Sequence, residues 1–345
     1  MGLTVLVIER TKGMIMKKRL TSLAAGLVFL LSGANVWATA FTGLYAFGDS
    51  LSDAGGSPSA VLSIYKLLGG NCDPFHPCPP YFDGRYSNGP VAVESLAASI
   101  LPGGANPANF HDFAVAGATT GIGNYGDGGT ATTQGFYGLP GMVQQVGLYL
   151  SSSGGAADPN ALYFVWGGAN DFLTLDSPVL AAQNVAAYVG ALATAGAEHI
   201  LVPNLPDLAL TPFVQSVGIE AQAHAFFTSF NTTLAIALGN LGQPGITQFD
   251  TYSFLNDVVL NPTHYGLTNS QDACLPSLLD APCANADSYV FWDGFHPTTA
   301  ADAVIASAFA KAVPEPGTIT LLAAGLLALF YVSSQRRKPG HARMR

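Results

Sequence analysis

Five short apolar runs recur along the middle of the chain: Leu44–Phe47, Phe110–Val115, Ala161–Trp166, His199–Pro203 and Ile246–Phe249. Each is bounded by Gly, Asn, Asp or Pro, and none alternates cleanly between polar and apolar. Strands that read as unbroken apolar runs are those buried on both faces. Segments with helical character lie between and after them: Val91–Ile100 behind an Asn88 cap, Gly141–Leu150, Val179–Ala195, Glu220–Leu241 and Thr298–Val313. Strands alternating with helices predict an α/β domain, because a parallel pair needs a crossover and the crossover helix covers a sheet face. In such sheets, binding sites form at the carboxyl ends of the strands. Two loops are long, Gly69–Gly89 (rich in Pro, with two Cys) and Gly117–Pro140 (rich in Gly and Thr). Loops of that length in a compact domain are usually functional, so they are expected to wall a site.

Both ends of the chain are of another kind. Met16-Lys17-Lys18-Arg19 is a basic stretch, Leu20 to Ala34 is mostly apolar, and small residues follow at Val36-Trp37-Ala38 and Ala38-Thr39-Ala40. This is the pattern of a signal peptide cut by signal peptidase, here over residues 1–40, with Met14 or Met16 as alternative starts. At the other end, Val313-Pro314-Glu315-Pro316-Gly317 precedes a 15-residue apolar run, 318–332, and then Arg336-Arg337-Lys338. At 1.5 Å per residue that run reaches roughly 22 Å, short of the ~30 Å hydrocarbon core. The expected organisation is a leader at 1–40, one domain at 41–312 and a tail at 313–345, with 318–332 as a marginal or transient inner-membrane anchor.

Charge separates the middle from the ends. Between residues 41 and 313 only Lys66, Arg85 and Lys311 are basic, against 20 acidic side chains, a net −17 with His neutral. Such a surface repels phosphate backbones, so no nucleic-acid partner is expected. The four cysteines fall as two close pairs, Cys72/Cys78 and Cys274/Cys283. Three pairings are possible; in an exported chain, local disulfides within each pair are the expected ones. The spacings lack a Cys-x-x-Cys form, so a structural zinc is the weaker reading.

Four segments carry candidate chemistry. Phe47-Gly48-Asp49-Ser50-Leu51-Ser52-Asp53 follows the first strand; it is also ordinary turn chemistry, and either serine needs a base before it becomes a nucleophile. Gly117, after the second run, can bring a backbone N–H close to a substrate oxygen. Asn170, in Trp166-Gly167-Gly168-Ala169-Asn170-Asp171, can present a side-chain amide. In Phe291-Trp292-Asp293-Gly294-Phe295-His296-Pro297 an acid and a histidine lie three residues apart: Asp293 can accept from Nδ1–H and leave Nε2 of His296 free to take a serine proton. The other histidines are poorer candidates. His111 and His199 sit on strands with acidic neighbours that point to the opposite face. His224 lies in an amphipathic helix, and His76 and His264 lie in loops.

Taken in order, Gly48-Asp49-Ser50-Leu51, Gly117, Gly168-Ala169-Asn170-Asp171 and Asp293-Gly294-Phe295-His296-Pro297 resemble the four blocks of the SGNH, or GDSL, hydrolases. Tyr81-Phe82-Asp83-Gly84-Arg85-Tyr86-Ser87-Asn88-Gly89-Pro90, Asn204-Leu205-Pro206-Asp207 and the stretch from Asn261 to Asn269 are similar to the lipase/acylhydrolase branch. The resemblance implies a three-layer α/β/α sandwich on a parallel five-stranded, flavodoxin-like sheet. It implies Ser50 as nucleophile, His296 as base, Asp293 as its orienting acid, and an oxyanion hole from the Ser50 N–H, the Gly117 N–H and the Asn170 side chain. No metal or cofactor is implied. Ser52 and Asp53 then read as caps of the following helix. One departure stands in the second block, where Asp112 and Ala116 replace the family's usual Asn and first Gly; Asp112 adds an acid near the site that could raise neighbouring pKa values.

The tail resembles the PEP-CTERM sorting signal of Gram-negative bacteria, which implies an exosortase-like processing enzyme and release to the cell surface or extracellular matrix. The expected function is that of a secreted serine esterase or lipase acting on an ester substrate, either a lipid or an acylated saccharide. The same triad in an acyltransferase or a polysaccharide O-deacetylase is the alternative. A non-catalytic surface or matrix protein is the alternative of a different class.

Overall fold

The computed structural model describes residues 40–313 except Pro74, and Leu329. The expected leader and the apolar run at 318–332 lie outside the described residues, apart from the single position 329. Among the described residues no helix is long and apolar enough to cross a membrane.

A parallel five-stranded sheet organises the chain: β1 (Leu44–Gly48), β2 (Phe110–Asp112), β3 (Leu162–Trp166), β4 (His199–Pro203) and β5 (Ile246–Phe249). Their spatial order is β2-β1-β3-β4-β5, and every pairing is parallel. This is the flavodoxin-like order, and it reverses direction between β1 and β3. All five residues of β3 are buried. Successive strand residues point to opposite faces, so the sheet is covered on both. The edge strand β5 is only partly buried.

The main helices are α1 (Ile64–Leu67), α2 (Ala92–Ile100), α3 (Met142–Ser152), α4 (Ala169–Leu173), α5 (Pro178–Thr194), α6 (Pro212–Val217), α7 (Glu220–Leu241), α8 (Thr251–Leu260) and α9 (Thr299–Ala312). Helix α2 packs on α9, and α5 packs on α7. Trp166, Tyr163, Phe164, Phe227, Phe230 and Phe309 fill the interior.

Several expectations shift. The second strand stops at Asp112, not Val115, although Phe113 N and Val115 N still donate to Ala46 O and Gly48 O of β1. Helix α2 is capped at Val91, where Glu94 reaches back to the Val91 N–H. Asn88 instead accepts from Thr299 N and fastens the start of α9. A small parallel pair, β6 (Asn269–Ala273) with β7 (Tyr289–Phe291), was not expected: β6 is polar, and the apolar run at β7 leads straight into the Asp293 turn. Both expected disulfides form within their pairs, Cys72–Cys78 and Cys274–Cys283. Cys78, Cys274 and Cys283 gather in one cluster with Tyr81, Leu275 and Trp292, the last directly before Asp293 in sequence.

Candidate active site

Ser50 follows β1, Gly117 follows β2, and Asn170 lies in α4 just after β3. All three therefore sit at carboxyl ends of adjacent strands, at the switch point of the sheet. Asp293 and His296 arrive from the turn after β7.

The structure brings the five expected residues to this end of the sheet and joins three of them directly. The Ser50 hydroxyl lies 2.9 Å from His296 Nε2. His296 Nδ1 lies 2.8 Å from Asp293 Oδ2. Asp293 Oδ1 accepts from the backbone N–H groups of Phe295 and His296, each at 2.8 Å, which fixes the turn carrying the imidazole. With Nδ1–H given to the carboxylate, Nε2 is left as the acceptor facing the serine hydroxyl. Burial pushes the Asp293 carboxyl up, but His296, the Tyr81 hydroxyl and the backbone donors outweigh it and hold the group far below the usual carboxylate range. It stays ionised beside the ring.

Three polar hydrogens at this end of the sheet are left without a hydrogen-bond acceptor among the described residues. Neither the Ser50 N–H nor the Gly117 N–H has a backbone acceptor among the described residues. Asn170 is 7% exposed and spends one amide hydrogen on Ala118 O at 3.0 Å, so the other remains. Gly117 has φ +78, and a Cβ there would lie 2.3 Å from Asn124 Oδ1. Both facts restrict the position to glycine. Gly168 at φ +123 precedes α4, where a Cβ would lie 2.6 Å from the Phe230 ring.

The residues that hold these groups in register were not evident in the sequence. Asp53 is not a simple helix cap. Its Oδ2 accepts from Ile64 N at the start of α1 (2.9 Å) and also from Ala116 N in the oxyanion loop (2.7 Å). Ser52 caps no helix among the described residues, where its buried hydroxyl has no partner, and α1 is capped by Ser63. Asp112 is buried and accepts from Ala54 N and Ala114 N; burial, with Asp53 nearby, pushes it well above its ordinary value. Asp171 takes both the N–H and the hydroxyl of Thr120, tying the long loop to α4. The Gln145 amide both donates to and accepts from the Gly48 backbone. Tyr81 donates to Asp293 Oδ2 at 2.6 Å across 212 positions of sequence. Among the aromatics of the two long loops, Tyr86 packs 5.1 Å from the His296 ring and Tyr81 packs 6.0 Å from Tyr86, while Phe136 and Tyr137 are exposed.

Burial also raises three carboxyls around this framework, Asp49 to about 6 and Asp53 and Asp171 to about 7. A carboxyl raised on folding binds its proton more tightly in the folded chain. Its stabilising contribution is complete below the unfolded value of about 4 and is lost as pH rises through the folded value. The domain is therefore expected to melt at a higher temperature near pH 5 than near pH 8. A melting temperature that climbs steadily over that interval would contradict the protonated framework.

A family profile described as GDSL-like Lipase/Acylhydrolase matches residues 44–309, and a PEP-CTERM protein-sorting motif matches residues 312–337. The chain is 28% identical over 341 residues to a GDSL esterase/lipase of Arabidopsis thaliana, covering 80% of this chain and 92% of that one. It is 29% identical over 320 residues to an uncharacterised protein of the trpE–trpG intergenic region of Pseudomonas putida. That match takes in 86% of this chain and about half of the relative, 53%. It is 28% identical to a phosphatidylcholine-sterol acyltransferase of Aeromonas hydrophila, over 72% of this chain and 70% of the relative.

Proposed function

The chain belongs to the GDSL-like lipase/acylhydrolase family and is an ester-hydrolysing enzyme; from that premise we propose that Ser50, His296 and Asp293 carry out the hydrolysis through an acyl-serine intermediate. The observation that carries this reading is the continuous line of hydrogen bonds from the Ser50 hydroxyl through His296 to Asp293. His296 Nε2 takes the serine proton as Oγ attacks the ester carbonyl. The carbonyl oxygen, now negative, accepts from the Ser50 N–H, the Gly117 N–H and the Asn170 amide. His296 then hands its proton to the departing alcohol. Water attacks the acyl-serine by the same route, with His296 as base, and frees the acid. Asp293 keeps its charge throughout and stabilises the imidazolium.

The likeness to an acyltransferase supports a second acceptor. The same acyl-serine can pass its acyl group to an alcohol in place of water, and product analysis with a competing alcohol separates the two. A fluorophosphonate probe should label the folded protein at Ser50 alone. Labelling at another residue, or none on a chain that hydrolyses esters, would remove Ser50 from this role.

The PEP-CTERM motif points to export and surface sorting in a Gram-negative bacterium. We propose that residues 1–40 are a leader removed by signal peptidase and that an exosortase-like enzyme processes the tail after a transient membrane stage. The basic Arg336-Arg337-Lys338 would remain on the cytoplasmic side and leave the enzyme outside. Mass spectrometry of the mature protein should find a chain ending before Arg336. A tail retained through Arg336 would instead mean a permanently tethered enzyme.

A further inference from the structure

The chain contains the five-residue pattern Asp-x-Phe-His-Pro twice. One copy is Asp293 to Pro297. The other is Asp73-Pro74-Phe75-His76-Pro77, inside the loop closed by the Cys72–Cys78 disulfide. The hydrogen bonds are duplicated as well as the letters. In the first copy Asp293 Oδ1 accepts from Phe295 N and His296 N, Oδ2 holds His296 Nδ1, and Tyr81 donates to Oδ2. In the second, Asp73 Oδ1 accepts from Phe75 N (2.7 Å) and His76 N (3.0 Å), Oδ2 holds His76 Nδ1 at 2.9 Å, and Tyr86 donates to Oδ2. The two imidazoles are neighbours, with ring centroids 6.3 Å apart and planes at 88°. Tyr86 packs against both, 4.1 Å from the His76 ring and 5.1 Å from the His296 ring.

The copies differ in what lies beyond Nε2. His296 Nε2 meets the Ser50 hydroxyl, whereas His76 Nε2 makes no hydrogen bond among the described residues. The His76 side chain is 29% exposed, against 13% for His296. Because Asp73 takes the Nδ1 proton, neutral His76 offers a lone pair at Nε2, and its complement is a hydroxyl donor. Its place beside His296 also selects a side of the substrate. The carbonyl oxygen is directed to Ser50 N, Gly117 and Asn170, while His296 gives its proton to the leaving oxygen. A group next to His296 therefore stands on the side of the leaving oxygen and meets the alcohol portion.

We propose that the Asp73–His76 pair is a binding site for a hydroxyl of the ester's alcohol portion, which makes the enzyme selective for esters of polyhydroxylated alcohols such as glycerol or a saccharide. Asp73, His76 and Tyr86 form this subsite, and the disulfide at Cys72–Cys78 keeps its loop in place. Burial pushes the Asp73 carboxyl up, but the His76 and Tyr86 hydrogen bonds bring it below the usual range, so it stays an acceptor for the Nδ1 proton. The subsite rests on the serine-esterase reading above, since it presumes that the alcohol leaves past His296.

Glyceryl monobutyrate and propyl butyrate share an acyl group and differ in two hydroxyls on a three-carbon alcohol. The full-length wild type should favour the glyceryl ester in kcat/KM. His76→Phe keeps a ring against Tyr86 but loses Nε2. It should lower kcat/KM for the glyceryl ester about tenfold, mainly through KM, as expected for one lost hydrogen bond to a polar group. It should change the propyl ester less than about twofold. His76→Gln should restore part of the loss. An equal fall on both esters would assign His76 to structure alone and overturn the subsite. So would a wild type that is labelled at Ser50 and hydrolyses propyl butyrate without preferring the glyceryl ester, and that result would leave the serine-esterase reading intact. No turnover of either ester and no labelling of Ser50 would overturn both.

Discussion

Ser50→Ala should lower kcat for ester hydrolysis by about 10⁴ or more while the fold and melting temperature stay near wild type. The side chain stands at a turn and its hydroxyl bonds only to His296 Nε2 among the described residues, so removing it disturbs little packing. What disappears is the covalent route. The remaining rate would come from binding and from the polar hydrogens facing the carbonyl oxygen. His296→Ala should fall to a similar level, because a serine hydroxyl without a base within hydrogen-bond reach is a weak nucleophile at neutral pH. The double variant should be scarcely worse than either single one, since the two groups act as a unit. Steady-state kinetics on one ester measures all three. Near wild-type turnover by Ser50→Ala would show that another group attacks the ester.

Asn170→Ala should reduce kcat by about 10²–10³, roughly 2.7–4 kcal/mol of transition-state stabilisation, with KM nearly unchanged. The asymmetry between the two constants follows from when charge appears. The ground-state carbonyl gains little from the amide, whereas the tetrahedral oxyanion gains much in a site screened from water. Asn170 also donates to Ala118 O, so the substitution leaves a loop carbonyl unpaired. A melting measurement on the same variant separates that structural cost from the kinetic one. A large rise in KM at constant kcat would place Asn170 in substrate binding instead.

Much of this was readable in the sequence because the signals are local. Apolar runs four to six residues long, bounded by turn formers, marked all five strands of the main sheet; His199–Pro203 and Ile246–Phe249 were marked to the residue. Helix α7 matched over its full length, Glu220–Leu241. The Asp293/His296 spacing announced its own contact, since three residues on one bend are enough to bring a carboxylate to Nδ1. Local cysteine pairing is equally a short-range matter.

The misassigned side chains share one cause, a partner distant in sequence. Ser52 and Asp53 looked like caps because Ser and Asp beside an apolar segment usually are. In the folded chain Asp53 reaches Ala116, 63 positions on, and no local pattern encodes that partner. Asn88 looked like a cap for α2 and instead serves α9, 211 positions away. His76 looked like one loop histidine among several, yet the fold lays its ring beside His296. Tyr81 carried no role of its own in the stretch from Tyr81 to Pro90, and it proves to donate to Asp293.

By itself, then, the sequence determined the five strands of the main sheet, the five long helices other than α8, the parallel α/β character and the residue types able to do acyl chemistry, because propensity, periodicity and short spacings act within a few residues; α8 and the β6–β7 pair were not marked. Only the tertiary structure decided which groups meet. The strand order β2-β1-β3-β4-β5 puts the ends of β1, β2 and β3 side by side, and buried carboxylates satisfied by backbone N–H groups from distant loops fix their spacing. Those contacts are chosen by the cost of leaving buried polar groups unpaired, a condition on the whole fold that no single segment carries.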